Sequence, residues 1–294
     1  MLKVEDFLNY LRLERNYSKL TVKSYGGDLR EFELFFKNIE DAMSWESVDS
    51  DVIRDWMELL MDKGNSAASV NRKLSALRSF YRYALRRELV ESDPAHEIQG
   101  PKRKNPLPQF LKEKEVDQLL DSVMWDDNYK SILARTLIIT FYSTGIRVSE
   151  LIGLEDKDVN FITRELKVTG KRDKQRIIPF GDELSLALQS YIDRRDKEID
   201  KRAAALFLTA KGLCMTSAQV RYIVRQNLAK VSTLKKKSPH VLRHTFATVM
   251  LNHEAGLESV KKLLGHESLS TTEIYTHTTF EQLKKVYKNA HPRA

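Results

Sequence analysis

The apolar residues of the first hundred positions follow the 3.6-residue helical period. Val4, Phe7, Leu8 and Leu11 fall on one face, and Tyr25, Leu29, Phe32 and Phe36 on another that follows Ser18. A third helix is predicted over VIRDWMELLMDKG, capped by Asp51 and stopped at Gly64. A fourth, opened by Ser66 or Ser69, carries Val70, Leu74, Leu77, Tyr81 and Leu85. Its predicted end is Asp93-Pro94, because a proline pushes the residue before it out of the helical region. Four amphipathic helices with short connections make a small bundle. GPKRKNPLPQF (100–110) then supplies three prolines and three basic residues, a poor core and a good extended linker. Residues 1–99 are therefore expected to form one domain, 100–108 a linker and 109–294 a second domain. In the second, ARTLIITFYST (134–144) reads as buried, and ELKVTGKRDKQRIIPF (165–180) alternates and breaks at Gly170, as a β-hairpin with GKRDK at its tip does. Further helices follow, the last from about Thr279 nearly to the end of the chain. The expected fold is mainly α with one small β-hairpin.

Composition narrows the partners. The chain has 294 residues, is 41% hydrophobic and 31% charged, and carries a formal net charge of +8. Mixed charges at this hydrophobicity fit packed cores, and the basic excess favours a polyanion, nucleic acid above all. Cys214 is the single cysteine, which excludes an intramolecular disulfide and a cysteine-rich zinc site. Acids within MLKVEDFLNYLRLER rule out a signal peptide, and no run approaches the ~20 apolar residues of a membrane span. A soluble, cytoplasmic protein with no membrane partner is expected.

Four segments carry candidate chemistry. In SPHVLRHTFATVML, Ser238 is a natural N-cap and Pro239 a natural first helical residue, so His240 and Arg243 share a helix face near its N-terminus. A helix start favours phosphate, a histidine exchanges a proton near neutrality, and an arginine fork holds two phosphate oxygens. An ordinary exposed His and Arg fit the same pattern. His240 and His244 also have metal-ligand spacing, with His266 a third donor, but Val241 stands where the zinc-protease motif needs Glu, and no well-spaced carboxylate accompanies them; no metal is expected. In KKLLGHESLSTTEIYTH, Gly265 ends a helix, His266 lies just past it, and Ser270 or Thr271 caps a short helix bearing Tyr275. A tyrosine in such a segment is usually core, but Thr271, Thr272, Glu273, Thr276 and His277 offer little to bury it. In TGIRVSELIGL, Arg147 sits at an element edge, with Glu150 either its local mate or a support for a nearby histidine. Lys171 occupies the hairpin tip, from which a flexible ammonium reaches a groove; spacing alone does not separate it from Lys174 or from a solvated turn lysine.

Taken together, GIRVSEL, VTGKRDKQRIIPF, SPHVLRHTFAT, LLGHESLSTTEIYTH and the terminal HPRA resemble, in order, the motifs of the tyrosine recombinase family, and within it the bacterial Xer group. The resemblance covers essentially the whole chain. It implies an N-terminal four-helix, SAM-like DNA-binding bundle and a C-terminal mixed α/β catalytic domain. It also implies that Arg147, Lys171, His240, Arg243 and His266 surround an attacked phosphate, that Tyr275 is the nucleophile, and that Glu150 is a supporting acid. No cofactor is called for, because a phosphotyrosyl bond stores the energy of the cut. Arg78, Arg82 and Arg86 recur every fourth residue, with Arg72 on the same flank; such like charges repel, and phosphate relieves them, though a solvated basic face shares the pattern. The resemblance favours the DNA reading, with Lys102, Arg103 and Lys104 of the linker and Lys235 to Lys237 as further backbone contacts.

The family works as a tetramer on two double-stranded sites. The resemblance thus implies a homo- or hetero-tetramer with a second Xer-type recombinase, regulated by a DNA translocase, and resolution of chromosome dimers. An integrase of a mobile element, a topoisomerase, and a non-catalytic DNA-binding protein on the same fold are the alternatives. The final amphipathic segment, with Phe280, Leu283, Val286 and Tyr287, docks either on a neighbour, as the family implies, or on its own domain.

Overall fold

The computed structural model describes residues 2–102, 109–121, 125–170, 173–200, 203–265 and 280–294. The chain divides into two compact units, Met1–Pro106 and Leu107–Ala294.

The first unit is built from α1 (Val4–Leu13), α2 (Lys19–Ile39), α3 (Ser50–Asp62) and α4 (Ala67–Arg86). Its core is aromatic: Phe7, Phe32, Phe36, Trp56, Phe80 and Tyr81 are buried together with Trp45. Side chains fix the helix starts, as Ser18 accepts from the Thr21 N–H and Ser66 from the Ser69 N–H. Two sequence expectations are corrected. Asp49, not Asp51, caps α3: its extended backbone aims the carboxylate at the N–H groups of Asp51 and Val52, leaving Asp51 as a first-turn acid. And α4 stops at Arg86, short of Asp93-Pro94, because Glu88 adopts a left-handed φ of 54° and turns the chain.

The second unit contains α5 (Glu113–Leu120), α6 (Tyr129–Thr144), α7 (Val148–Ile152), β1 (Val159–Asn160), β2 (Glu165–Thr169), β3 (Gln175–Pro179), α8 (Asp182–Glu198), α9 (Ser217–Val231), α10 (Pro239–Asn252), α11 (Leu257–Leu264) and α12 (Phe280–Ala290). Apolar almost all round, α6 is the central helix and packs against α8 and α10. The expected hairpin is present, paired antiparallel with Glu165 opposite Pro179 and Thr169 opposite Gln175. The short β1, not anticipated from the sequence, extends it to three strands in the order β1-β2-β3. Leu166, Val168 and Ile178 fill the inward face. At the C-terminus, α12 packs on β3, α10 and α11 of its own chain, burying Tyr287 and Ala290. Among the described residues no helix is long and apolar enough to cross a membrane.

Candidate active site

Three chain turns build the site. The first follows α6, where Gly145 takes a left-handed φ of 61°. A Cβ there would come within 2.6 Å of Phe246 and 2.7 Å of Leu264, so glycine is required both by conformation and by the close approach of α10 and α11. This turn delivers Arg147 to the N-cap of α7. The second turn is the end of α11, which closes on Gly265 with a left-handed φ of 64°. The third is the mouth of the hairpin, where the Gly170 N–H donates to the Lys174 carbonyl at 2.7 Å.

At the end of α11, three successive carbonyls each accept from a different arginine. Leu263 accepts from Arg176 Nε (2.9 Å), Leu264 from Arg243 Nη2 (2.7 Å) and Gly265 from Arg147 Nη2 (3.1 Å). The carbonyl end of a helix carries partial negative charge, which draws the guanidinium groups together. Arg243 is further fixed by Nη1 on the Gly145 carbonyl (2.5 Å). Glu150 lies buried among them: its carboxylate accepts from the Arg147 N–H and Nη1, both at 2.7 Å, and from both terminal nitrogens of Arg176 at 2.9 Å. Burial alone would raise its pKa, but hydrogen bonds from Arg176 and Arg147 overcome this and hold the carboxyl down at about 2.

Three guanidinium charges thus face one carboxylate. Burial, and after it the charge of Arg147, lowers Arg243 to about 10, still protonated at neutral pH. A site that crowds cations in this way is suited to an anion. On the first turn of α10, His240 is exposed, whereas Arg243 on the same helix is buried. Loss of hydration against the surrounding protein, and then His244, Arg221, Arg243 and Arg147, lower His240 from its ordinary value, so the imidazole is neutral near pH 7. Ser238 occupies the N-cap position without a side-chain cap, and Pro239 is the first helical residue.

The structure therefore brings Arg147, Glu150 and Arg243 together, with His240 close enough for the charges of Arg243 and Arg147 to act on it. Lys171, His266 and Tyr275 lie outside the described residues, as do Arg103 and Lys104. Of the helical arginines, Arg72 pairs with Asp28 and donates to Ser24 Oγ (2.7 Å), and Arg78 donates to the carbonyls of Ala95 (3.1 Å) and Ile98. Arg82 and Arg86 are exposed, as are Lys102, Lys235 and Lys236, while Lys237 is half-buried. No cluster of metal-ligand side chains occurs among the described residues. Two features escaped the sequence reading. One is Arg176, although the period-2 alternation puts it on the same strand face as buried Ile178, where an arginine requires an acid partner. The other is a cavity of about 800 Å³ reaching Ser238, rimmed by Lys130, Arg221, Arg225 and Lys237, whose cations are scattered along the sequence.

Comparison with known proteins gives the family. Residues 109–282 match the phage integrase family, and residues 4–88 match the phage integrase N-terminal SAM-like domain. The chain is similar to a tyrosine recombinase XerC of Staphylococcus saprophyticus, 38% identical over 98% of this chain and 96% of the relative. It is also similar to a tyrosine recombinase XerD of Oceanobacillus iheyensis, 36% identical over 99% and 98%. In fold, it superposes on a XerH site-specific recombinase bound to palindromic difH substrate with a TM-score of 0.73, at 24% identity, over 96% of this chain and 83% of that one. The chain belongs to the phage integrase family and is a tyrosine recombinase, an enzyme of site-specific DNA recombination.

Proposed function

We propose that Tyr275 is the nucleophile of this recombinase and that Arg147, Lys171, His240, Arg243 and His266 serve one phosphate. The observation that carries the reading is the convergence of Arg147 and Arg243 on the last carbonyls of α11, immediately before His266. Tyrosine has a pKa of about 10 in water, so its proton must leave as it attacks, and neutral His240 is the group to take it. The phenolic oxygen forms a bond to phosphorus while the bond to the 5′-oxygen breaks. Arg147 and Arg243 balance charge on the non-bridging oxygens, and Lys171 gives the leaving oxygen its proton. The resulting 3′-phosphotyrosyl bond keeps the energy of the broken one, and a 5′-hydroxyl from another strand reverses the step. Glu150 holds Arg147 in place.

Residues 1–99 are the DNA-gripping domain, 100–108 the linker and 109–294 the catalytic domain in this reading. Arg82, Arg86 and Lys102 are its best-supported phosphate contacts in the first unit, because Arg72 and Arg78 are engaged by their own protein. Resolution of chromosome dimers, in a tetramer with a second Xer-type recombinase, is the role favoured by nearly full-length similarity to XerC and XerD relatives.

The test is a nicked duplex that traps the cut strand, its sequence taken from genomic fragments the protein selects. Wild type is expected to form a covalent protein–DNA adduct, and Tyr275→Phe to lose it by at least about a thousandfold. An adduct of normal yield in Tyr275→Phe would overturn the assignment.

A further inference from the structure

We propose that Arg176 is a positioning residue that offsets the charge of Glu150, so that Glu150 orients Arg147 without cancelling its attraction for the phosphate. The inference rests on the reading of Arg147 as a phosphate ligand and assigns a task to a residue which that reading leaves unused.

Electrostatics makes the case. A buried carboxylate at 2.7 Å from a guanidinium fixes its direction but also neutralises it, and a neutral pair has little field left for a substrate anion. Glu150 does not pair with Arg147 alone. Its two oxygens also take the two-pronged fork of Arg176, 2.9 Å to each terminal nitrogen. The triad keeps one net positive charge, and the division of exposure shows where that charge is presented. The Arg147 side chain is 38% exposed, those of Arg176 and Glu150 only 15% and 2%. Arg176 is the hidden counter-charge, and Arg147 is the member open to a ligand.

The surroundings bind the same pair to the rest of the site. Arg176 Nε donates to the Leu263 carbonyl at 2.9 Å. A Cβ on Gly265, the residue before His266, would stand 3.0 Å from its guanidinium. A Cβ on Gly170, the residue before Lys171, would stand 3.4 Å from Glu150 Oε1. One ion pair thus abuts the backbone leading into both candidates as well as Arg147 itself. A plain cross-link between β3 and α11 would use the same hydrogen bonds, so the test must read charge rather than stability.

Single-turnover adduct formation at saturating DNA is measured for R176M, R176K, E150Q/R176M and Arg147→Ala, with thermal melts alongside. R176M is expected to slow cleavage by about a hundredfold, because Glu150 then neutralises Arg147. Adding E150Q removes the uncompensated charge and is expected to recover at least about tenfold over R176M. The R176M rate should also climb relative to wild type as pH falls, because Glu150 without its partner takes up a proton more readily. R176K, which keeps the charge and loses the fork, is expected to lose less than about tenfold. A double variant no faster than R176M, with no relative recovery at low pH, would assign Arg176 to structure alone and overturn the proposal; so would R176M cleaving at the wild-type rate. If R176M does not fold, R176K decides, and a loss of a hundredfold in that variant overturns it. Normal cleavage by Arg147→Ala would instead overturn the underlying reading of Arg147, whatever Arg176 does.

Discussion

His240 and Arg243 lie three residues apart on α10, yet the protein treats them differently. Arg243 is drawn inward onto the carbonyls of Gly145 and Leu264, whereas His240 stays exposed at the first turn. A cation held by fixed carbonyls serves as a stationary charge; an exposed ring serves as a proton carrier. Lost hydration and the charges of His244, Arg221, Arg243 and Arg147 keep that ring neutral. The rate of adduct formation should accordingly be flat through neutrality and fall only on the acid side, below the ordinary histidine value of about 6.5. His240→Gln is expected to lower the rate by about 10²–10⁴-fold and to abolish that acid limb. An acid limb that survives in the variant would assign the titration to another group. Sequence spacing was enough to pair His240 with Arg243, because a helix converts a three-residue interval into a shared face. Strand facing is harder to read: alternation puts Arg176 on the face of Ile178, but its acid partner, Glu150, lies on α7, 26 residues away in sequence, and only the fold brings the two together.

At the level of elements, the pattern of Phe280, Leu283, Val286 and Tyr287 identified α12 as amphipathic but not the surface that receives it. In the folded chain that surface is its own domain, and the tail beyond the helix closes the contact. His291 stacks on Tyr287 with rings 5.0 Å apart and 10° from parallel, beside Tyr142 and Phe246. Its Nδ1 accepts the Arg293 N–H at 3.2 Å, so the neutral ring carries its proton on Nε2, 3.3 Å from the Tyr142 carbonyl. Arg293 then reaches Glu183 and Asp117. Burial, offset in part by the Tyr142 carbonyl and assisted by the charges of Arg293 and His253, lowers His291 to about 4. With the folded value below the unfolded one of about 6.5, the unfolded chain binds the extra proton. The contribution is therefore complete above pH 6.5 and lost as pH falls towards 4, about 3 kcal/mol in all. Denaturant unfolding at pH 7 and pH 4 should show wild type losing about that much more stability than His291→Phe. Equal losses would mean that the histidine is not held neutral. None of this was legible in HPRA, because the tail's meaning lies in Tyr142 and Glu183, more than a hundred residues away in sequence.

For the whole molecule, the net charge of +8 pointed to a polyanion without saying which cations meet it. The four-residue recurrence of Arg78, Arg82 and Arg86 suggested one uniform stripe, but the folded unit divides it. Arg78 is spent on the carbonyls of Ala95 and Ile98, where it ties the segment after α4 to that helix, whereas Arg82 and Arg86 remain exposed. The two classes make opposite predictions. Each phosphate neutralised by the protein releases condensed counterions, so the logarithm of affinity falls against the logarithm of salt with a slope of about −0.9 per contact. Substituting Arg82 and Arg86 together with alanine should make the slope shallower by about 2 and weaken binding to all sequences alike. Arg78→Ala should leave the slope as it is and instead lower the stability of the N-terminal unit by about 1–3 kcal/mol, since two carbonyls lose their charged donor. Binding titrations from low to physiological salt, run beside thermal melts, separate the two. A slope unchanged in the Arg82/Arg86 variant would remove α4 from the DNA interface, and a shallower slope in Arg78→Ala with no change in stability would mean that its carbonyl contacts give way to phosphate when DNA binds.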